Sequence, residues 1–159
     1  MIEGDELYTK VHHNSAASES EGWTIVLMER SSRFLWQLNC AAKDQTLFEA
    51  ALQLLCKVIE QTQDLTLLMD GERRYGKILF AICHEVFRTG QPGRATKRLR
   101  QGVRVRILKN KGSKKRSGRK RPKDQAPVPE HPETDTRIEN AQIHANHVEA
   151  FKQFLNNRW

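Results

Sequence analysis

Three acids, Asp5, Asp70 and Glu149, stand where separate secondary-structure elements would bring carboxylates to one point. Asp5 lies in the strand-like run Ile2 to Val11. Asp70 closes the apolar run Leu65-Thr66-Leu67-Leu68-Met69 and is followed by Gly71, and Glu149 falls in a late helical stretch, 140–157. Gathered carboxylates repel one another and cost stability. The usual compensation is a divalent cation, and all-oxygen ligation suits magnesium or manganese. The second signal is a run of cations: residues 94–123 hold 15 of the 27 Lys and Arg and no acid, leaving 12 basic and 19 acidic residues elsewhere. Arg104, Arg106, Lys109, Lys111, Lys114, Lys115, Arg116, Arg119, Lys120 and Arg121 are the expected DNA-binding cations, because each phosphate contact releases counterions. Carboxylates for a hard metal ion beside a phosphate-seeking arm predict a metal-dependent enzyme acting on nucleic acid.

The elements that must position these acids follow from apolar periodicity. Residues 2–11 read as a first strand, and Trp23 to Met28 and Phe34 to Leu38 as two more, joined by Arg30-Ser31-Ser32-Arg33, a connection short enough for an antiparallel hairpin. Asp44 is an N-cap for a helix carrying Leu47, Phe48, Ala51, Leu52, Leu55, Val58 and Ile59 at helical spacing, to about Gln61. Leu65 to Met69 is a short continuous apolar run of the kind buried on both faces in a parallel strand, with the preceding helix as crossover. Tyr75, Ile78, Leu79, Ile82 and Val86 predict a second amphipathic helix ending near Gly90. The alternation Val103-Arg104-Val105-Arg106-Ile107 predicts a fifth strand with both arginines on one face.

Residues 109–133, rich in Lys, Arg, Gly, Ser and Pro with almost nothing to bury, are expected to be mobile when free. On the last helix Gln142, Asn146, Glu149 and Gln153 share a polar face, while His144, Val148, Phe151 and Leu155 form the stripe that packs. That register, with Asn146 in a supporting place, selects Glu149 over Glu139 as the third acid.

At 159 residues and 38% hydrophobic composition, the chain is expected to fold as one body. It divides into 1–90 as the first part of the catalytic unit, 91–133 as a basic insertion containing the fifth strand, and 134–159 as the late helix. No signal-peptide pattern or membrane-length apolar run occurs, so a cytoplasmic protein is expected. Cys40, Cys56 and Cys83 are far apart, without a Cys-x-x-Cys pair, and read as reduced core residues rather than zinc ligands or disulfides. His84 reads as a core or half-exposed histidine, Glu6 and Glu72 as supporting or surface acids, and Trp23, Phe34 and Trp36 as core or cross-strand aromatics.

The order of three strands, helix, strand, helix, strand, helix resembles the ribonuclease-H-like fold: a mixed five-stranded sheet, three antiparallel strands then parallel ones, with helices on its faces. Asp5-Glu6-Leu7-Tyr8, Met69-Asp70-Gly71-Glu72-Arg73-Arg74-Tyr75 and His144-Ala145-Asn146-His147-Val148-Glu149-Ala150-Phe151 resemble the catalytic blocks of DDE transposases, of the class encoded by the bacterial insertion sequence one and its relatives. The resemblance implies that Asp5, Asp70 and Glu149 are the catalytic triad and the ligands of two magnesium ions. One ion would activate water or a 3′-hydroxyl and the other would stabilise the leaving oxygen in strand cleavage and strand transfer. It further implies transposon-end and target DNA as partners, self-association on DNA and a nucleoid-associated location. Members of that class carry an end-binding region before the first catalytic strand and a basic extension after the catalytic helix. With Met1 four residues before Asp5 and Trp159 last, the chain reads as truncated at both ends. The rival readings are a catalytically inactive nucleic-acid-binding remnant, which would need no magnesium, and a ribonuclease-H-type nuclease without strand transfer.

Overall fold

The computed structural model describes residues 1–8, 22–42, 44–69, 72–88, 95–107, 126–135 and 146–156. Its strands are β1 (Ile2–Tyr8), β2 (Trp23–Glu29), β3 (Leu35–Ala41), β4 (Leu65–Met69), β5 (His84–Phe87), β6 (Thr96–Leu99) and β7 (Val103–Ile107). The helices are α1 (Gln45–Thr62), α2 (Arg73–Ile82) and α3 (Asn146–Asn156). Five strands form one mixed sheet in the order β3-β2-β1-β4-β7. β2 runs antiparallel to β1 and β3, while β4 is parallel to both β1 and β7.

The two sheet faces differ in chemistry because strand side chains alternate. On one face Ile2, Ile25, Leu27, Leu67, Met69, Val103 and Val105 are buried in a core with Leu47, Phe48, Leu52 and Leu55 of α1 and Tyr75 and Leu79 of α2. Tyr75 is fully buried and meets Phe48 edge-on at a centroid distance of 5.1 Å, joining the two helices. All five residues of β4 are buried, which explains why the strand is apolar but for Thr66 and carries no charge.

The cap of α1 is as expected: Asp44 Oδ1 accepts from Leu47 N at 3.0 Å. The helix closes on Gln63, in the left-handed region at φ 51°, whose N–H donates to Ile59 O at 2.9 Å. Gly102, at φ +83°, leads into β7 against that cap, and a Cβ there would lie 1.9 Å from Gln63 O. Only glycine lets the two backbones come so close.

Two expectations need correction. The second helix does not reach Gly90: it stops at Ile82, where His84 Nδ1 lies 3.1 Å from Phe80 O and 2.9 Å from Ala81 O and satisfies carbonyls at the helix end. The chain then forms β5, antiparallel to β6 in a separate two-stranded sheet, and Val86 is 58% exposed instead of continuing the apolar stripe.

The second concerns 109–133, whose described end packs firmly. Residues 126–135 form a strap along the edge strand β7, with Glu130, His131 and Thr134 buried and Val128 against the core. Pro129 O accepts from Leu99 N at 2.9 Å, Thr134 Oγ1 from Gly102 N at 2.9 Å and Glu130 Oε1 from Val105 N at 3.1 Å. Of these donors Val105 N belongs to the edge strand itself, and the strap meets it from within.

Candidate active site

Asp5 sits near the middle of β1, the central strand, and is 3% exposed. Its Cα partner is Val26, which puts the carboxylate on the sheet face opposite the α1/α2 core. Asp5 Oδ1 accepts from Glu6 N at 2.8 Å. Along the other edge of β1 the parallel register pairs Ile2 with Leu67, Glu3 with Leu68 and Gly4 with Met69. Gly4 and Met69 are the residues immediately before Asp5 and Asp70. Asp70 itself lies outside the described residues.

Helix α3 packs on this second face, where Val148 is buried with Val26 and Met28 and Phe151 leans on the same cluster. Its attachment is polar as well. Glu3, fully buried one pleat before Asp5 on the same side of β1, accepts from Val148 N (3.3 Å from Oε2) and pairs with His147 Nδ1 (3.0 Å from Oε1). Arg30 Nε stands 3.7 Å from the same Oε1. A buried carboxyl needs hydrogen-bond partners around it, and here two of them come from the first turn of α3. Glu149 follows Val148 directly and Asn146 opens the helix; the side chains of both lie outside the described set. Glu3 was not among the expected site residues. The available signal was its period-two spacing from Asp5, which puts both carboxylates on one strand face.

Among the other acids, Glu72 caps α2, with Oε1 accepting from Arg74 N at 3.0 Å, and Glu6 lies on the opposite side of β1 from Asp5, paired with Ile25 in the ladder. Two expected DNA-binding arginines require correction. Arg106 is 0% exposed, with Nη1 2.5 Å from Glu130 Oε1, so its guanidinium neutralises a buried acid of the strap and is not presented to phosphate. Arg104 shares that strand face as expected, but donates to Asp64 and, at 2.9 Å, to Asp135 O. Both side chains serve to hold β7. The cations Lys109, Lys111, Lys114, Lys115, Arg116, Arg119, Lys120 and Arg121 lie outside the described residues, as does His144.

A cavity of about 770 Å³ lies at the other end of the parallel strands, bordered by Glu60, Asp64, Glu85, Arg100, Arg104 and Asp135. It opens where β4 and β7 begin, whereas Asp5 faces the side where β4 ends, so it is separate from the acid site. No described helix is long and apolar enough to cross a membrane.

In a metal centre Asp5 would supply the hard oxygen donor that magnesium or manganese takes. Among the described residues no three His, Cys, Asp or Glu side chains form a metal-holding group, so the fit depends on Asp70 and Glu149 joining Asp5. No protein-family model, curated protein or solved structure matches this sequence.

Proposed function

We propose that the chain is a DDE-type transposase catalytic domain with a ribonuclease-H-like fold, cleaving DNA strands and transferring them at a site made by Asp5, Asp70 and Glu149. The observation that carries this reading is the placement of Asp5. It is a buried acid on the central strand, next to the end of the fully buried parallel strand that leads into Asp70, and on the face where α3 docks. The strand order β3-β2-β1-β4-β7, with β2 alone reversed, supports the fold assignment. The three acids would hold two magnesium or manganese ions, which when bound supply activation of a water or 3′-hydroxyl and stabilisation of the leaving oxygen.

The chain's own contribution is positional. β1 and β4 fix the backbone leading to two of the acids, and Glu3 fixes the first turn of the helix that carries the third. DNA, as transposon ends and target, would be held by the cations between Lys109 and Arg121, an arm with self-association on the DNA as its expected companion.

The test separates chemistry from binding. Asp5→Asn and Asp70→Asn keep side-chain shape and remove a ligand charge. Magnesium-dependent nicking of a duplex should vanish in both, while DNA retention on a filter persists with a salt slope of about −0.9 per phosphate contact. Loss of binding and cleavage together would assign the acids a structural role. Retention without cleavage by the unsubstituted chain would favour the inactive remnant.

A further inference from the structure

We propose that Cys56 and Cys83 are a thiol-modification site, a dithiol that closes to a reversible intramolecular disulfide with a two-electron oxidant of the peroxide class. The two sulfurs stand 3.3 Å apart although the residues are 27 positions apart in sequence. Cys56 is a half-buried residue of α1, and Cys83, 2% exposed, is the C-cap of α2. A disulfide needs the sulfurs at about 2.05 Å, so an approach of little more than 1 Å is required. Side-chain rotation can supply it while the Cys83 backbone stays held, its N–H donating to Leu79 O at 2.9 Å and its carbonyl accepting from Arg100 N at 3.0 Å.

Exposure and protonation give the pair an order of reaction. Cys56 is the more exposed residue of the pair and so the one nearer an oxidant in solvent. Burial, and next the neighbouring Cys56, push the Cys83 thiol up to about 12, which leaves Cys56 as the sulfur oxidised first and Cys83 as the one that resolves it, giving up its proton as it attacks. In the first step the Cys56 sulfur attacks one oxygen of hydrogen peroxide. An S–O bond forms, the O–O bond breaks, and the released hydroxide takes up the Cys56 proton as water. In the second step the Cys83 sulfur attacks the Cys56 sulfenic acid. The S–S bond forms, the S–O bond breaks, and hydroxide leaves with the Cys83 proton as a second water. Two thiols lose two electrons, and one peroxide becomes two waters. The reduced state expected from the sequence is then one of two states, because residues distant in the chain are brought together where α1 and α2 pack.

The test uses the full chain carrying Cys40→Ser, which removes the exposed third thiol on β3. After stoichiometric hydrogen peroxide, denaturation and alkylation, the expected protein is about 2 Da lighter, takes up no alkylating agent, and regains two thiols with dithiothreitol. A tryptic digest should join the peptide 44–57 to the peptide 78–88. The oxidised form should melt roughly 6–10 °C higher, because the closed loop constrains the unfolded chain. Adding Cys83→Ser should leave a Cys56 sulfenic acid that dimedone traps, whereas with Cys83 present trapping should fall by at least about tenfold. Peroxide-treated folded protein in which both thiols still alkylate would overturn the proposal. So would Cys56 carried on to sulfinic acid beside a free Cys83, and neither readout requires the Cys83 variant to fold.

Discussion

His147 Nδ1 lies 3.0 Å from Glu3 Oε1, a contact between residues 144 positions apart that ties the first turn of α3 to the central strand. Glu3 also accepts from Val148 N, so one buried carboxylate holds both a side chain and a backbone N–H of that helix. Glu3→Gln should cost about 1.5–3 kcal/mol, the range for a hydrogen bond to a charged group. The loss should be local first: amide exchange across 146–156 should accelerate at least tenfold while α1 remains protected. Exchange rising equally in both helices would mean that Glu3 supports the sheet as a whole and does not anchor α3.

The ion pair between Arg106 and Glu130 gives a second expectation, with an asymmetry that identifies it. Both groups are buried, and Glu130 also accepts from Val105 N. Glu130→Ala leaves a buried guanidinium without its counter-charge and should cost about 3–5 kcal/mol, whereas Arg106→Met with Glu130→Leu should recover much of that loss. Urea denaturation of the single and double variants measures the coupling. Additive losses would show that the charges do not interact. Arg106→Met alone should leave the salt slope of DNA binding unchanged, since its guanidinium faces the strap.

Those two pairs mark what could be read from the chain and what could not. Periodicity identified α1 with its Asp44 cap, the β2–β3 hairpin, the buried strand β4 and the alternating strand β7, because each signal is local. The boundary of α2 was missed because Val86 extends the apolar period, while the residue that stops the helix, His84, acts through a ring nitrogen that no hydropathy pattern registers. Arg104 and Arg106 looked like phosphate ligands because their acids, Asp64 and Glu130, stand 40 and 24 residues away. Asp5 was legible as a strand acid, but its burial was not, because no local pattern shows which sheet face α3 will cover. Glu3 was passed over because its partners belong to α3, at the far end of the chain.

Gly102 supports a third prediction. Its φ of +83° is strained for any side chain, and an added Cβ would overlap the Gln63 carbonyl, a backbone atom that cannot swing away. Gly102→Ala should therefore cost more than about 2 kcal/mol, as strain of about 1–3 kcal/mol is joined by displacement of the α1 cap. The damage should spread to Leu65 N, which donates to Gly102 O at 3.1 Å at the start of β4. Thermal melting gives the loss. A variant within about 0.5 kcal/mol of the unsubstituted chain would mean that the turn readily re-forms without this close approach.

Glu29 sets a pH dependence whose sign is fixed by its surroundings. At the β2–β3 turn its carboxylate accepts from Ser32 N at 2.5 Å and Ser32 Oγ at 2.7 Å, with the N-terminal ammonium 3.7 Å away. The Ser32 backbone donor is the largest influence, and it outweighs partial burial to bring the group from 4.5 to about 2. A carboxyl held below its unfolded value binds fewer protons in the native state. Its contribution is therefore full above about pH 4.5 and declines as pH falls toward 2, with about half gone near pH 3. Glu29→Gln cannot make that titration. The stability gap between the two proteins, from urea unfolding, should hold constant between pH 7 and 5, then narrow progressively to pH 2. A gap that keeps its pH 7 size at pH 2.5 would show that Ser32 prefers the charged carboxylate no more than the neutral amide.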